Sequence, residues 1–246
     1  RGTTASSGIY ADGSGPLILT NVAHDTTETG AKTLNLRGSN TDGNRIDSPL
    51  SNNGAGVLSV TVDGGATWIL TNASNNYTGG TTVSAGALGI GGDTVLGAGT
   101  LTLGSGSVFA YGGDRVISNP ITHSNNSNVV FFGDYSLSFS SVLTLAAAFN
   151  NANLTANHIA AGKSLTFGGG VAANSLSDNR AWAFEGGGET VINGNFTTST
   201  GRWLRLDINA GGQLTLGTSG AGSNFNQGAA TAIDVDRGTL KFTANN

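Results

Sequence analysis

The sequence predicts an all-β protein, a parallel β-solenoid in which short strands stack coil upon coil over residues 1–246 as one continuous unit. Three observations predict it: short alternating strands recur along the chain, glycine-rich corners separate them, and charged residues are scarce. Forty of the 246 residues are glycine and 11% are charged, against roughly 25% charged in an ordinary soluble domain. Short polar residues, which suit strands and turns, replace the long side chains that favour helices.

The strands carry a repeated phrase of glycine followed by alternating aliphatic residues. Its copies lie at 86–91, 99–104, 162–168, 212–217 and 238–242. Alternation turns one row of side chains inward and the next outward. Because near-identical phrases can stack like on like in successive coils, they favour a solenoid over an antiparallel sandwich or barrel. At ~20–25 residues per coil we expect roughly ten to twelve coils.

Clusters of Gly, Asn and Asp mark the corners between these strands. They lie at 52–54, 63–65, 91–93, 112–114, 168–170 and 186–188. Glycine adopts positive φ without steric cost, and Asn and Asp tolerate it best after glycine.

Charge and composition argue against several function classes. The net charge is −4 and the basic residues are scattered, whereas nucleic-acid binding needs a clustered basic surface. No apolar run approaches the roughly 18 residues of a membrane span. The histidines His24, His123 and His158 share no ligand spacing. We therefore expect no cofactor, no metal, no nucleic-acid partner and no membrane insertion of this segment.

Residues 68–88 carry the most specific motif, WILTNASNNYTGGTTVSAGAL. This stretch resembles the passenger-associated transport repeat of bacterial autotransporter-type surface proteins. The resemblance implies a single-stranded, right-handed parallel β-helix, secreted or on the surface of a Gram-negative bacterium. It implies no enzymatic activity and supplies no catalytic residues. The residues that carry the signature are Trp68, Tyr77, Gly79, Gly80, Val83, Gly86 and Leu88.

The motif also has a physical interpretation. The corner at 78–81 needs small residues, and Val83 and Leu88 are expected to pack inward or pair between coils. Trp68 and Tyr77 are large enough to fill a gap in the core or to cover it from outside.

Carboxylates provide a candidate for catalysis. Asp234 and Asp236 share a strand face, and Asp207 lies about one coil earlier, so three carboxylates can meet for acid–base chemistry or a hard cation. Alternatively they form a solvent-facing row that Arg205 and Arg237 neutralise. Glu185 and Glu189, which flank 186–188, either bracket a groove or decorate a surface corner.

A second candidate is an interaction surface in which tryptophan lies beside arginine. Trp182 and Trp203, with Arg202 and Arg205, can bind sugar rings or a neighbouring subunit if they are exposed. Alternatively the tryptophans fill or cover the core. Threonine is abundant, but its irregular spacing does not predict the long, regular row typical of ice-binding surfaces.

We expect a non-catalytic extracellular structural protein, a rigid rod or filament-forming subunit. Strand edges at the ends of a solenoid accept further strands unless they are capped, and neither 7–11 nor 238–243 resembles a polar cap, so we expect self-association through the terminal coils. The alternatives are an adhesin or carbohydrate-binding module, and a polysaccharide-degrading enzyme.

Overall fold

The computed structural model describes residues 4–22, 29–124, 127–146, 154–173, 180–198, 204–217 and 233–243. These residues form strands and turns, with no helix among them. The first strands are β1 (Thr4–Ala11), β2 (Ile18–Leu19), β3 (Ala31–Gly38), β4 (Asn44–Ile46), β5 (Leu58–Val62), β6 (Thr67–Leu70), β7 (Thr81–Val83), β8 (Ala87–Ile90), β9 (Leu101–Leu103), β10 (Ser107–Ala110), β11 (Arg115–Ile117) and β12 (Ile121–His123). The others are β13 (Asn128–Gly133), β14 (Leu137–Phe139), β15 (Leu143–Leu145), β16 (Leu154–Ile159), β17 (Ser164–Phe167), β18 (Val171–Ala173), β19 (Arg180–Glu185), β20 (Glu189–Ile192), β21 (Phe196–Thr198), β22 (Leu204–Ile208), β23 (Gln213–Gly217), β24 (Ile233–Val235) and β25 (Thr239–Thr243).

The strands form three parallel sheets. Sheet 1 has nine strands in the order β1-β3-β5-β7-β9-β12-β15-β18-β21, and sheet 2 has ten in the order β2-β4-β6-β8-β10-β13-β16-β19-β22-β24. Sheet 3 has six, in the order β11-β14-β17-β20-β23-β25. Among the described strands, the early coils therefore contribute two each, the coils from β9 to β23 contribute three each, and the last contributes β24 and β25.

This architecture confirms the predicted β-solenoid. The nine strands of sheet 1 define about eight turns between the first and the last, somewhat fewer than the ten to twelve expected. Register partners in sheet 1 lie from 20 residues apart (Thr81 and Leu101) to 28 apart (Leu143 and Val171). Coils with long corners contain more residues than the ~20–25 per coil expected from the sequence, so the chain makes fewer turns.

The core lies between the sheets and consists of the inward-facing side chains of each strand. In strands such as β5 and β9 buried and partly exposed residues alternate, as the pattern predicted. Aromatic rings concentrate in the coils from β13 to β19. The rings of Phe139 and Phe167 stack at 5.7 Å, and those of Trp182 and Phe184 lie 4.5 Å apart.

Register partners in adjacent coils are identical residues at only some positions. Leu137 pairs with Leu165 and Phe139 with Phe167 in sheet 3. Leu88, however, lies between Trp68 and Val108. The phrases at 86–91 and 99–104 belong to different sheets, so the phrase marks a strand that follows a corner and not a fixed position in the coil.

Threonines form a regular row on the outer face of sheet 1, contrary to the expectation from their spacing. Thr61, Thr82, Thr102, Thr122 and Thr144 are consecutive register partners, at sequence intervals of 21, 20, 20 and 22 residues. The corners absorb the small differences in coil length, and the strands stay in register. β-Branched neighbours on one face of adjacent strands stabilise a sheet.

Candidate functional site

The corner of the sequence motif owes its paired glycines to the close approach of neighbouring coils. A Cβ on Gly80 would lie 2.6 Å from the Thr100 carbonyl oxygen, and Gly80 has a φ of +87°. A Cβ on Gly79 would lie 2.6 Å from the Leu58 carbonyl oxygen of the preceding coil. Side chains at these two positions would therefore push the coils on both sides apart.

The large residues of the motif lie inside the solenoid. Trp68 and Tyr77 are fully buried, so they fill the core and do not cover it from outside. The Tyr77 hydroxyl lies 2.6 Å from the Thr81 hydroxyl, and burial raises the pKa of this phenol. Trp68 Nε1 donates to the Arg37 carbonyl oxygen at 3.1 Å. Both polar atoms are thus satisfied at the edge of the core.

Asn75, between these two aromatics, joins three successive coils. Its side-chain oxygen accepts from the Leu50 backbone N–H at 2.7 Å, and its side-chain nitrogen donates to the Val95 carbonyl oxygen at 2.7 Å. The amide is buried, so both bonds replace water that is excluded. Other buried amides bond to the backbone of neighbouring coils in the same way: Asn44, Asn119 and Asn157.

The motif and the fold around it agree with one protein family. Residues 60–90 match the passenger-associated transport repeat. This match confirms the resemblance of 68–88, extends it to β5, and with the solenoid fits an autotransporter passenger-type β-helix. No curated protein and no solved structure matched the chain. The repeat match covers 31 of the 246 residues.

The proposed tryptophan–arginine surface is wrong for Trp182. This side chain is completely buried, and its Nε1 donates to the Thr155 hydroxyl at 2.9 Å. It fills the core, which was the alternative interpretation. Trp203 and Arg202 lie outside the described residues. Arg205 is partly exposed and forms a two-bond contact with Asp207.

Two of the three candidate carboxylates, Asp207 and Asp234, lie on the outer face of sheet 2, and Asp236 follows the end of β24. Asp207 and Asp234 are register partners on neighbouring strands of sheet 2. Arg205 contacts Asp207 at 2.5 and 2.8 Å, and Arg237 contacts Asp236 at 3.0 Å. Both oxygens of Asp207 and one of Asp236 thus contact arginine, as in the neutralised row, whereas Asp234 is exposed beside Asp207.

The glutamates beside the corner at 186–188 do not form a pair of free carboxylates. Glu189 accepts from the Thr215 hydroxyl at 2.8 Å and lies 3.7 Å from Lys241. Within the described residues no group of three or more His, Cys, Asp or Glu side chains is placed to hold a metal ion. The described part of the chain also contains no helix long and apolar enough to cross a membrane.

His123 is the one buried histidine among the described residues. Burial lowers its pKa to about 4, although the Ser124 and Leu154 backbone groups partly oppose the shift. Its Nδ1 lies 3.1 Å from the Ser127 hydroxyl, and its ring meets Trp182 edge-on at 6.1 Å. The imidazole is therefore neutral near pH 7 and belongs to the core. His158 is exposed.

Aspartates after paired glycines join one coil to the next, which sequence reasoning missed. Asp93 accepts from the Val116 backbone N–H at 3.1 Å, and Asp114 accepts from the Ser136 backbone N–H at 2.9 Å. Val116 belongs to β11, the first strand of sheet 3, so Asp93 occupies an edge that has no preceding strand. The signal was the recurrence of Gly-Gly-Asp at 91–93 and 112–114.

Proposed function

We propose that the chain is a non-catalytic structural segment of a secreted surface protein, acting as a rigid rod. The observation that carries the proposal is the unbroken parallel register of sheets 1 and 2, supported by buried asparagines that bond to adjacent coils. Sheet 2 has ten strands, so nine steps of ~4.8 Å give a rod of ~43 Å. The repeat match supports this role, since such repeats are commonly structural or adhesive.

Two measurements on the bacterium and on the purified chain test this proposal. Protease treatment of intact cells should remove the chain while a periplasmic marker stays intact, because a surface rod is accessible from outside. The purified chain should release no reducing ends from a panel of polysaccharides. Protection from protease on intact cells contradicts the location, and steady release of reducing sugar contradicts the non-catalytic role.

We further propose that the rod associates end to end. In the last described coil Phe242 is 66% exposed and Val235 is 43% exposed, although both occupy strands. The first described strands, β1 and β2, belong to sheets 1 and 2, whereas β24 and β25 belong to sheets 2 and 3. Among the described strands the two ends share only sheet 2, so we expect a second copy to continue that sheet in a weak, concentration-dependent contact.

Sedimentation velocity over a hundredfold range of concentration tests the association. The native chain should shift to larger species as concentration rises, and Phe242→Lys should remain monomeric. A native chain that stays monomeric throughout contradicts end-to-end association without affecting the proposed rod.

A further inference from the structure

Three aromatic side chains gather on the outer face of sheet 2, where β10 and β13 lie side by side. Phe109 and Phe132 point outward, because their strand neighbours Val108 and Phe131 are buried in the core. The centroids of the two outward rings are 4.8 Å apart. Tyr111 follows two residues after Phe109 on the same face and is 38% exposed. In a chain with only 7% aromatic residues, this concentration on an outer face needs a cause.

A glycine in the adjacent strand holds one of these rings in place. A Cβ on Gly89 would lie 2.7 Å from Phe109 Cζ and 2.7 Å from Ile69 Cγ1. The Phe109 ring thus fills the space above Gly89, between Ile69 on one side and Phe132 on the other. A ring fixed in this way loses little conformational entropy when a ligand covers it.

A chain of polar side chains runs beside the rings. Arg45 donates to Asp47 through two bonds of 2.7 and 2.8 Å, and the Thr71 hydroxyl donates to Asp47 at 2.5 Å. The Tyr111 hydroxyl, after Asp47, raises the pKa of the Arg45 guanidinium, so the phenol lies near this charge. Arg115 donates to the Tyr111 carbonyl oxygen at 2.7 Å. Arg115 thus anchors the backbone of Tyr111, and the polar groups of Arg45, Asp47 and Tyr111 lie beside an apolar surface.

We propose that this surface, formed by Phe109, Tyr111, Phe132 and Arg45, binds a neutral oligosaccharide. A sugar ring has an apolar face of C–H groups and a rim of hydroxyls that both donate and accept hydrogen bonds. The aromatic rings match the apolar face, and the donors and acceptors of Arg45, Asp47 and the Tyr111 hydroxyl match the hydroxyl rim. The charges of Arg45 and Asp47 compensate each other, which favours a neutral ligand over an anionic one.

The dimensions of the surface favour a short sugar chain over a protein. From β4 to β13 sheet 2 advances by four strands, or ~19 Å, enough for several linked sugars. The partly exposed rings offer an area on the order of 200 Å². A stable protein interface needs about 800 Å² on each partner, so a second copy of the chain does not fit this surface.

Sugar binding by this surface does not depend on the proposed role of the chain as a rod. A rod that binds no sugar stays a rod, and a sugar-binding solenoid need not be exported. The two proposals are therefore tested by separate measurements.

Native gel electrophoresis through immobilised polysaccharides tests the inference. Gels contain hydroxyethyl cellulose, xylan or galactomannan as neutral probes, and alginate as an anionic probe. We expect retardation in at least one neutral gel. Phe132→Ala and Tyr111→Ala should weaken it at least tenfold, and Tyr10→Ala, which removes an exposed tyrosine from sheet 1, should leave it unchanged.

Tyr111→Phe keeps the ring and removes only the hydroxyl, so it should fold normally and weaken retardation severalfold. Melting curves of all variants separate lost binding from lost folding. No retardation in any neutral gel overturns the inference, as does retardation in alginate alone. Undiminished retardation of folded Phe132→Ala and Tyr111→Ala overturns it as well.

Discussion

Removing the buried amide of Asn75 tests how the coils are held together. In Asn75→Ala the Leu50 N–H loses its acceptor and the Val95 carbonyl loses its donor, each formerly bonded at 2.7 Å. A buried polar group left without a partner costs about 1–3 kcal/mol. Two such groups predict a loss of about 2–6 kcal/mol in the free energy of unfolding, a large part of the 5–15 kcal/mol typical of a folded domain.

The neighbouring residue provides a matched control for this prediction. Asn76 is exposed, whereas Asn75 is buried, so Asn76→Ala should change stability by no more than about 0.5 kcal/mol. Urea unfolding followed by circular dichroism measures both variants, and equal m-values ensure that the midpoints are comparable. If Asn75→Ala and Asn76→Ala unfold within about 0.5 kcal/mol of each other, the buried amide does not hold the coils together.

Three further substitutions test other contacts. Burial lowers the pKa of His123 from 6.5 to about 4, so between these pH values the unfolded chain binds one more proton than the folded chain. The free energy of unfolding is therefore full above pH 6.5 and falls by about 3 kcal/mol towards pH 4. His123→Gln should remove this loss. Gly80→Ala should cost several times more than Gly162→Ala in thermal unfolding, since both have positive φ but only Gly80 is crowded by a neighbouring coil. Asp93→Ala should cost about 1–2 kcal/mol and accelerate hydrogen exchange of the Val116 amide.

For each of these three predictions, one result would contradict the proposed contact. A pH profile of His123→Gln that parallels the native profile between pH 4 and 6.5 assigns the acid sensitivity to other groups. Equal melting temperatures for Gly80→Ala and Gly162→Ala show that adjacent coils can separate without cost. Unchanged exchange at Val116 shows that Asp93 does not protect the edge of sheet 3.

The sequence predicted features that depend on local pattern. Alternation in the strand phrases predicted the strands, because a residue's side of a strand depends on its parity. The motif at 68–88 predicted the repeat, since its paired glycines are required wherever coils approach closely. These features are set by residues near one another in the chain.

Features that depend on the stacking register could not be predicted from the local sequence pattern. Nothing local distinguishes Asn75, which is buried, from Asn76, which is exposed; the difference arises from the coils on either side. For Trp182 the sequence left both a surface and a core position open until its inward position was known. The outer pairing of Phe109 with Phe132 also depends on register, because the two residues are distant in sequence and adjacent in space.

The stacking of coils in parallel register is most directly tested by distances between spin labels. Asn35, Thr122, Thr144 and Thr197 lie on one outer row of sheet 1, and the chain contains no cysteine, so paired cysteines can be labelled cleanly. Labels at 35 and 122, 35 and 144, and 35 and 197 are four, five and seven strands apart. Pulsed electron resonance should give narrow distances near ~19, ~24 and ~34 Å, growing by ~4.8 Å per strand. Broad distributions, or distances that do not grow in these steps, contradict the rod.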